Sequence, residues 1–224
     1  MRYVFDPMKV HECSKAGIGK PRPEMFNAIE EELEKAYPGR IFRDGPWIYS
    51  IAGGVMIQMK VLFASLMEYL IIWGTPIGSE GHSGRHLLGF WDTLLDGEMW
   101  YYAEGQFEKS VYKPGDHLYV GPFQARGMVF KDNVWAVEYA RGPILCSLPF
   151  GLADEILDTL DISTAAQTLG VYMELVGKHW KNDAGPLPLL SLPRKLVGSI
   201  LDPAGSALWR ICRPAPGDDT PPAG

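Results

Sequence analysis

Between residues 46 and 142 the chain is cut every few residues by turn chemistry: "AGG", "GTPIG", "DG", "KPGD", "GPF" and "KDN". Glycine, proline, asparagine and aspartate at this density favour turns, and the pieces between them are short and apolar or alternating. Such a block suggests a barrel or sandwich of about six to nine strands. Within it "DTLLDGEMWYY" reads as a hairpin closed at Asp96–Gly97.

Helices bracket the block. In "PEMFNAIEEELEKAY" (23–37), Phe26, Ile29, Leu33 and Tyr37 recur at helical spacing, Pro23 suits a first turn and Gly39 lies beyond the end. This predicts an amphipathic surface helix whose Glu30–Glu31–Glu32 run is solvated. After Gly142, apolar positions at Leu152, Ile156, Leu157 and Leu160, then at Leu169, Tyr172, Met173 and Val176, predict two helices broken near Thr159 to Ser163. "PLPLLSLPRKLVGSILDPAGSALWRICRP" mixes apolar residues with Arg194, Lys195, Arg210 and Arg213, which fits a segment lying in a membrane surface or a helix packed on the domain. "APGDDTPPAG" reads as a disordered tail. The expected organisation is a helical N-terminal segment (1–45), a β-barrel (46–150), helices covering it (151–189) and a basic–apolar extension with its tail (190–224).

A chain of 224 residues usually forms one domain, two smaller ones being the minority case, and 46% apolar side chains are ample for a sizeable core. Its net charge of −6 argues against nucleic acid as a partner. Cys13, Cys146 and Cys212 are odd in number and far apart, which suggests neither a disulfide framework nor a zinc knuckle. "MRYVFDPMKV" lacks the apolar run of a signal peptide or transmembrane helix, and "VLFASLMEYLIIW" (61–73) is too short to span a bilayer.

"NVWAVEYARG" (133–142) holds an acid in an unusual place. In an extended chain Glu138 shares one face with Val134, Ala136 and Ala140, while Trp135, Val137 and Tyr139 share the other. Both faces are apolar, so the carboxyl must be hydrogen-bonded, paired or protonated. Asp92 is similar, in register with Leu88, Phe90 and Leu94, and Glu68 interrupts the apolar run 61–73. Any one such acid is ordinarily a carboxylate bonded to backbone. Two from different strands that converge inside a barrel would share one proton, supplying an acid and a base at neutral pH.

His82 and His86 in "GHSGRH" have a spacing that binds zinc on a helix, but the glycines around them argue for a loop in which His82 bonds backbone. His117 after a proline–glycine turn is faintly similar to metal-binding cupins, which want a second histidine where Tyr119 stands. No metal and no cofactor is expected, and no phosphate-cradling loop or nucleophile elbow occurs.

"AGGVMIQM", "ASLMEYLIIWGTPIGSEGHSGRH", "VEYARG" and "LPFGLAD" together resemble one small family, the sterol C8-isomerases of ergosterol synthesis and the sigma-1 receptor, over residues 45 to 185. "YVFDP" also resembles the fungal enzymes. The resemblance implies a mainly β fold with flanking helices: a cupin-like β-barrel capped by C-terminal amphipathic, membrane-facing helices, in a homotrimer at the endoplasmic reticulum. It implies a closed apolar interior for a sterol or a hydrophobic amine, with Glu138 and Asp92 as its two landmark acids. Met59, Tyr69, Trp73, Phe90, Phe130, Leu148 and Tyr172 fall on pocket positions, and Glu68 on a structural acid. The family carries an N-terminal membrane helix that this chain lacks, whether naturally or by truncation, and the basic–apolar segment past the receptor's end is expected to replace that anchor. The implied activity is a cofactor-independent sterol isomerase that moves a ring double bond from the 8,9 to the 7,8 position. The alternative is a receptor-like binding protein without turnover. "LPFGLADEILDTLD" is closer to the enzymes than to the receptor, in which alanine stands at the place of Pro149.

Overall fold

The computed structural model describes residues 3–182 and 194–212. The chain begins with two helices, α1 (Pro7–Ser14) and α2 (Glu24–Ala36). α1 is absent from the sequence expectations, although its signal is present. Asp6 accepts from the Lys9 amide and Pro7 takes a first-turn position whose missing N–H is no loss.

Eight strands follow: β1 (Trp47–Ala52), β2 (Val55–Ala64), β3 (Glu68–Thr75), β4 (Ser79–His82), β5 (Gly89–Tyr102), β6 (Ser110–Tyr112), β7 (His117–Val120) and β8 (Gly127–Arg141). They form one antiparallel sheet in the order β1-β2-β3-β8-β5-β6, with β4 added to β8 and β7 to β5. The mainly β expectation with flanking helices therefore holds. The stretch "GTPIGSEG", expected as loop, contains β4, which pairs Ser79–His82 with Phe130–Gly127. Gly81 makes this possible: a Cβ there would lie 2.2 Å from the Gly53 carbonyl oxygen.

The expected hairpin at Asp96–Gly97 is not a turn. β5 runs straight through it as an interrupted register against β8, Leu94↔Ala136 giving way to Asp96↔Trp135 and then Met99↔Phe130. Gly97 sits at φ 84° with no room for a side chain, because a Cβ would meet the Asn133 carbonyl at 2.0 Å. Asn133 Nδ2 donates to Asp96 Oδ2 at 2.8 Å, so the pair is held as a β-bulge. The bulge reverses parity along β5. Phe90, Asp92 and Leu94 point inward before it, Met99 and Tyr101 after it.

β8 is apolar on both faces because both are covered. Trp135, Val137 and Tyr139 pack against Phe5, Ile29 and Leu33 of the N-terminal segment, whereas Val134, Ala136 and Ala140 face the interior with Leu88, Phe90 and Leu94. Each large side chain so buried contributes roughly 1.5–3 kcal/mol. Glu30 corrects the expectation of a solvated acidic run. It is 2% exposed and pairs with Lys60 of β2 at 2.6 Å, while Glu31 and Glu32 stay open to solvent.

After β8 come α3 (Leu148–Ala153), a π-helical turn (Asp154–Asp158), α4 (Ile162–Asn182) and α5 (Arg194–Ile211). The break between helices falls at Thr159 to Asp161, and Asp161 caps α4 by accepting from the Thr164 amide at 3.0 Å. Part of the basic–apolar extension is thus α5, lying on α4. Gly170 approaches the Trp209 amide, Gly205 approaches the Glu174 amide, and the Trp209 indole donates to Glu174. Residues 183–193, which include the end of the expected covering helices, and 213–224, which include Arg213 and the expected tail, lie outside the described residues. Among those described, no helix is long and apolar enough to cross a membrane.

Candidate functional site

The inward faces of β1, β2, β3, β5 and β8, roofed by α3 and α4, enclose a cavity of about 230 Å³. Its walls are almost wholly apolar. Met59, Tyr69, Trp73, Phe90, Phe130, Leu148 and Tyr172 all line it, together with Glu138. Tyr172 is held in place by a hydrogen bond from its hydroxyl to the Ser65 carbonyl at 3.2 Å. Tyr101, Thr168 and His86 also line it and were not anticipated. Tyr101 was hidden by the misread bulge, since simple alternation from Asp92 sends it outward.

Glu138 and Asp92 are direct cross-strand partners on β8 and β5. Asp92 is completely buried and is not part of the cavity wall, whereas Glu138 keeps a partly open face on it. Tyr69, on β3, donates its hydroxyl to Glu138 Oε1. The Trp73 indole donates to Asp92 Oδ1 at 3.2 Å. Asp92 Oδ2 is buried with no N–H or O–H directed at it. An ionised oxygen could not remain there uncompensated, and a protonated one can donate to the neighbouring carboxylate.

Electrostatics agree with this assignment. Burial drives the Asp92 carboxyl well above its usual range, the negative charge of Glu138 drives it further, and the Trp73 bond opposes both. Burial also raises Glu138, but the Tyr69 hydroxyl and the bond from Asp92 pull it back. Both directions favour a single proton shared by the pair, with Asp92 the stronger holder and Glu138 the member that faces the cavity. Tyr69 itself is kept neutral, its pKa raised by burial and then by the Glu138 charge.

Glu68 lies apart from this pair. Its carboxylate accepts from the Val4 amide at 2.8 Å, the Phe5 amide at 3.4 Å and the Tyr139 hydroxyl at 2.7 Å. It fastens the N-terminal segment to the outer face of the sheet. His82 Nδ1 accepts from the Gly84 amide at 3.0 Å within the glycine-rich turn. His117 packs on His11 with ring centroids 4.6 Å apart, and among the described residues no group of three ligands could hold a metal ion.

A family model described as "ERG2 and Sigma1 receptor like protein" matches residues 1–182. The chain is 42% identical over 158 residues to the "Protein erg2 homolog" of Dictyostelium discoideum, covering 70% of this chain and 68% of that one. It is 37% identical over 173 residues to the "C-8 sterol isomerase erg2" of Aspergillus fumigatus, covering 75% and 72%. It is 36% identical over 173 residues to the "Sigma non-opioid intracellular receptor 1" of Gallus gallus, covering 76% and 78%. Among solved structures, that of KdgF from Halomonas sp. is 16% identical, with a TM-score of 0.39 over 46% of this chain and 93% of that one.

Proposed function

Since the chain belongs to the ERG2 and Sigma1 receptor like family, we propose that it is a sterol C8-isomerase, shifting a ring double bond from the 8,9 to the 7,8 position by proton transfer through Glu138. The observation that carries this reading is an acid pair of unequal burial, with Glu138 alone of the two presented to an apolar cavity.

An alkene is a poor base, so its proton donor must be a neutral carboxylic acid in a dry place. Asp92 stores the proton and Glu138 delivers it. Passed across the shared hydrogen bond, the proton goes from Glu138 to C9, the 8,9 π-electrons form the new C–H bond, and a tertiary cation is left at C8. The pair is now doubly ionised. Glu138, the carboxylate that reaches the cavity, removes a proton from C7, the C–H electrons become the 7,8 double bond, and the pair regains its single proton. No cofactor enters the balance. Phe90, Phe130, Trp73 and Tyr172 line the cavity, and each ring whose face meets the cation would stabilise it by ~0.5–2 kcal/mol. The "LPFGLAD" segment, with Pro149 in α3, supports the enzyme reading over the receptor one. We place the protein, as a homotrimer, at a membrane of the endoplasmic reticulum, where a sterol is dissolved.

Incubation with an 8,9-unsaturated sterol in heavy water tests the proposal. Mass spectrometry is expected to find a 7,8 product carrying one deuterium, introduced by the exchanged acid pair. Absence of product while a hydrophobic amine still binds would replace the isomerase reading by the receptor-like one, in which the ionised Glu138 pairs with an ammonium.

A further inference from the structure

One wall of the cavity is built differently from the rest. Residues 147–160 supply Ser147, Leu148, Phe150, Gly151 and Leu152 to the lining, yet they belong to no strand. They rest on the turn between β1 and β2 through a few contacts. The Phe150 ring fits over Gly53 and Gly84, where an added Cβ would lie 3.0 Å from its Cζ in each case, and it packs edge-on against His86 at 4.8 Å. Asp154 Oδ2 accepts from the Gly54 amide at 3.0 Å.

Glu155 is the anomaly of this contact. It is 1% exposed, and neither carboxyl oxygen is held by a well-formed hydrogen bond, the Ile51 amide of β1 lying only nearby. Burial pushes its pKa up to about 7; the Ile51 amide of β1 opposes this, and the Asp161 and Asp154 charges add to it. Its own turn (154–158), β1 and the first turns of α4 (162–167) contain no lysine, arginine or histidine. The turn that carries it is π-helical, a rare form frequently found at functional sites. The segment ends at Leu160, a non-glycine residue at φ 56°, and backbone strain of this kind clusters at active sites, ligand clamps and switch regions.

We propose that residues 147–160 form a hinged lid, that apolar ligands reach the cavity by passing between α3 and the β1–β2 turn, and that Glu155 is the latch, closing when protonated and releasing when ionised. The direction follows from linkage. Below the ordinary carboxylate range Glu155 is protonated with the lid open or shut, and closure is at its strongest. Above that range the open form ionises first, so closure weakens with rising pH and levels off once the buried carboxyl has also ionised. Between pH 6 and pH 8 the open fraction rises roughly tenfold.

Hydrogen–deuterium exchange of the backbone amides in 148–158 reads this directly. After correction for the intrinsic pH dependence of exchange, protection in the wild-type protein is expected to fall roughly tenfold between pH 6 and pH 8, while amides in the middle of α4 show no step. Glu155→Gln is expected to abolish the step. Asp154→Asn, which weakens the tether to Gly54 without removing the titrating group, is expected to speed exchange at both pH values and keep the step. A flat wild-type profile, an unchanged step in Glu155→Gln, or unaltered exchange in Asp154→Asn would each overturn the latch. None of these readouts needs turnover, so they stand or fall independently of the isomerase reading.

Discussion

Glu138→Gln is expected to lower sterol isomerisation by roughly 10²–10⁴-fold, the range that a positioned acid–base group supplies. The substitution is nearly isosteric. The amide oxygen still accepts the Tyr69 hydroxyl, so Trp73, Phe90 and the rest of the cavity wall keep their places. What disappears is the only carboxyl of the pair that reaches the cavity. An amide neither donates a proton to C9 nor removes one from C7, and Asp92 behind it has no path to the substrate. Turnover measured by the 8,9-to-7,8 conversion, beside circular dichroism and a thermal melt matching the wild type, checks the expectation. A variant that isomerises at the normal rate would remove Glu138 from the reaction.

The second large effect concerns stability. Glu68→Ala is expected to destabilise the protein by about 2–4 kcal/mol, because the deletion leaves the Val4 and Phe5 amides without an acceptor and the Tyr139 hydroxyl with only its longer bond to the Phe5 carbonyl at 3.2 Å. The consequences spread beyond those bonds. Tyr139 also accepts from Arg141 Nε at 2.7 Å, and Arg141 donates to the Phe5 carbonyl, so the N-terminal segment is tied to β8 by one connected network. If that tie fails, Phe5 and the α1–α2 face lose their hold on the outer side of the sheet. Urea unfolding of Glu68→Ala beside Glu31→Ala decides the matter, since Glu31 is exposed and its removal is expected to change stability by less than ~0.5 kcal/mol. Equal midpoints for the two variants would show that Glu68 anchors nothing.

Glu68, Asp92 and Glu138 were legible from the sequence for a common reason: an acid in an otherwise apolar strand has to be compensated, whatever the fold. The alternation through Glu138 also carried the direction of each neighbour, since β8 keeps its parity from Met128 to Ala140. On β5 the same rule failed at Asp96–Gly97. That dipeptide serves a two-residue turn and a bulge equally well, and only the facing Asn133 decides between them. Glu30 was misjudged because its partner, Lys60, is distant in sequence and brought near by the packing of α2 on β2. Glu155 gave no signal at all. It sits in a helical stretch where acids are ordinary, and its burial depends on the β1–β2 turn, which no periodicity connects to it. Pairings between elements far apart in the chain are what pattern alone leaves out.

The account depends on a single proton held between Asp92 and Glu138 at neutral pH. Infrared difference spectroscopy of the wild type against Asp92→Asn at pH 8, in light and heavy water, observes that proton through the carbonyl stretch of a protonated carboxylic acid. The expected result is one such band, sensitive to deuterium, present in the wild type and missing from the variant. A wild-type spectrum with both carboxyls ionised would contradict the account.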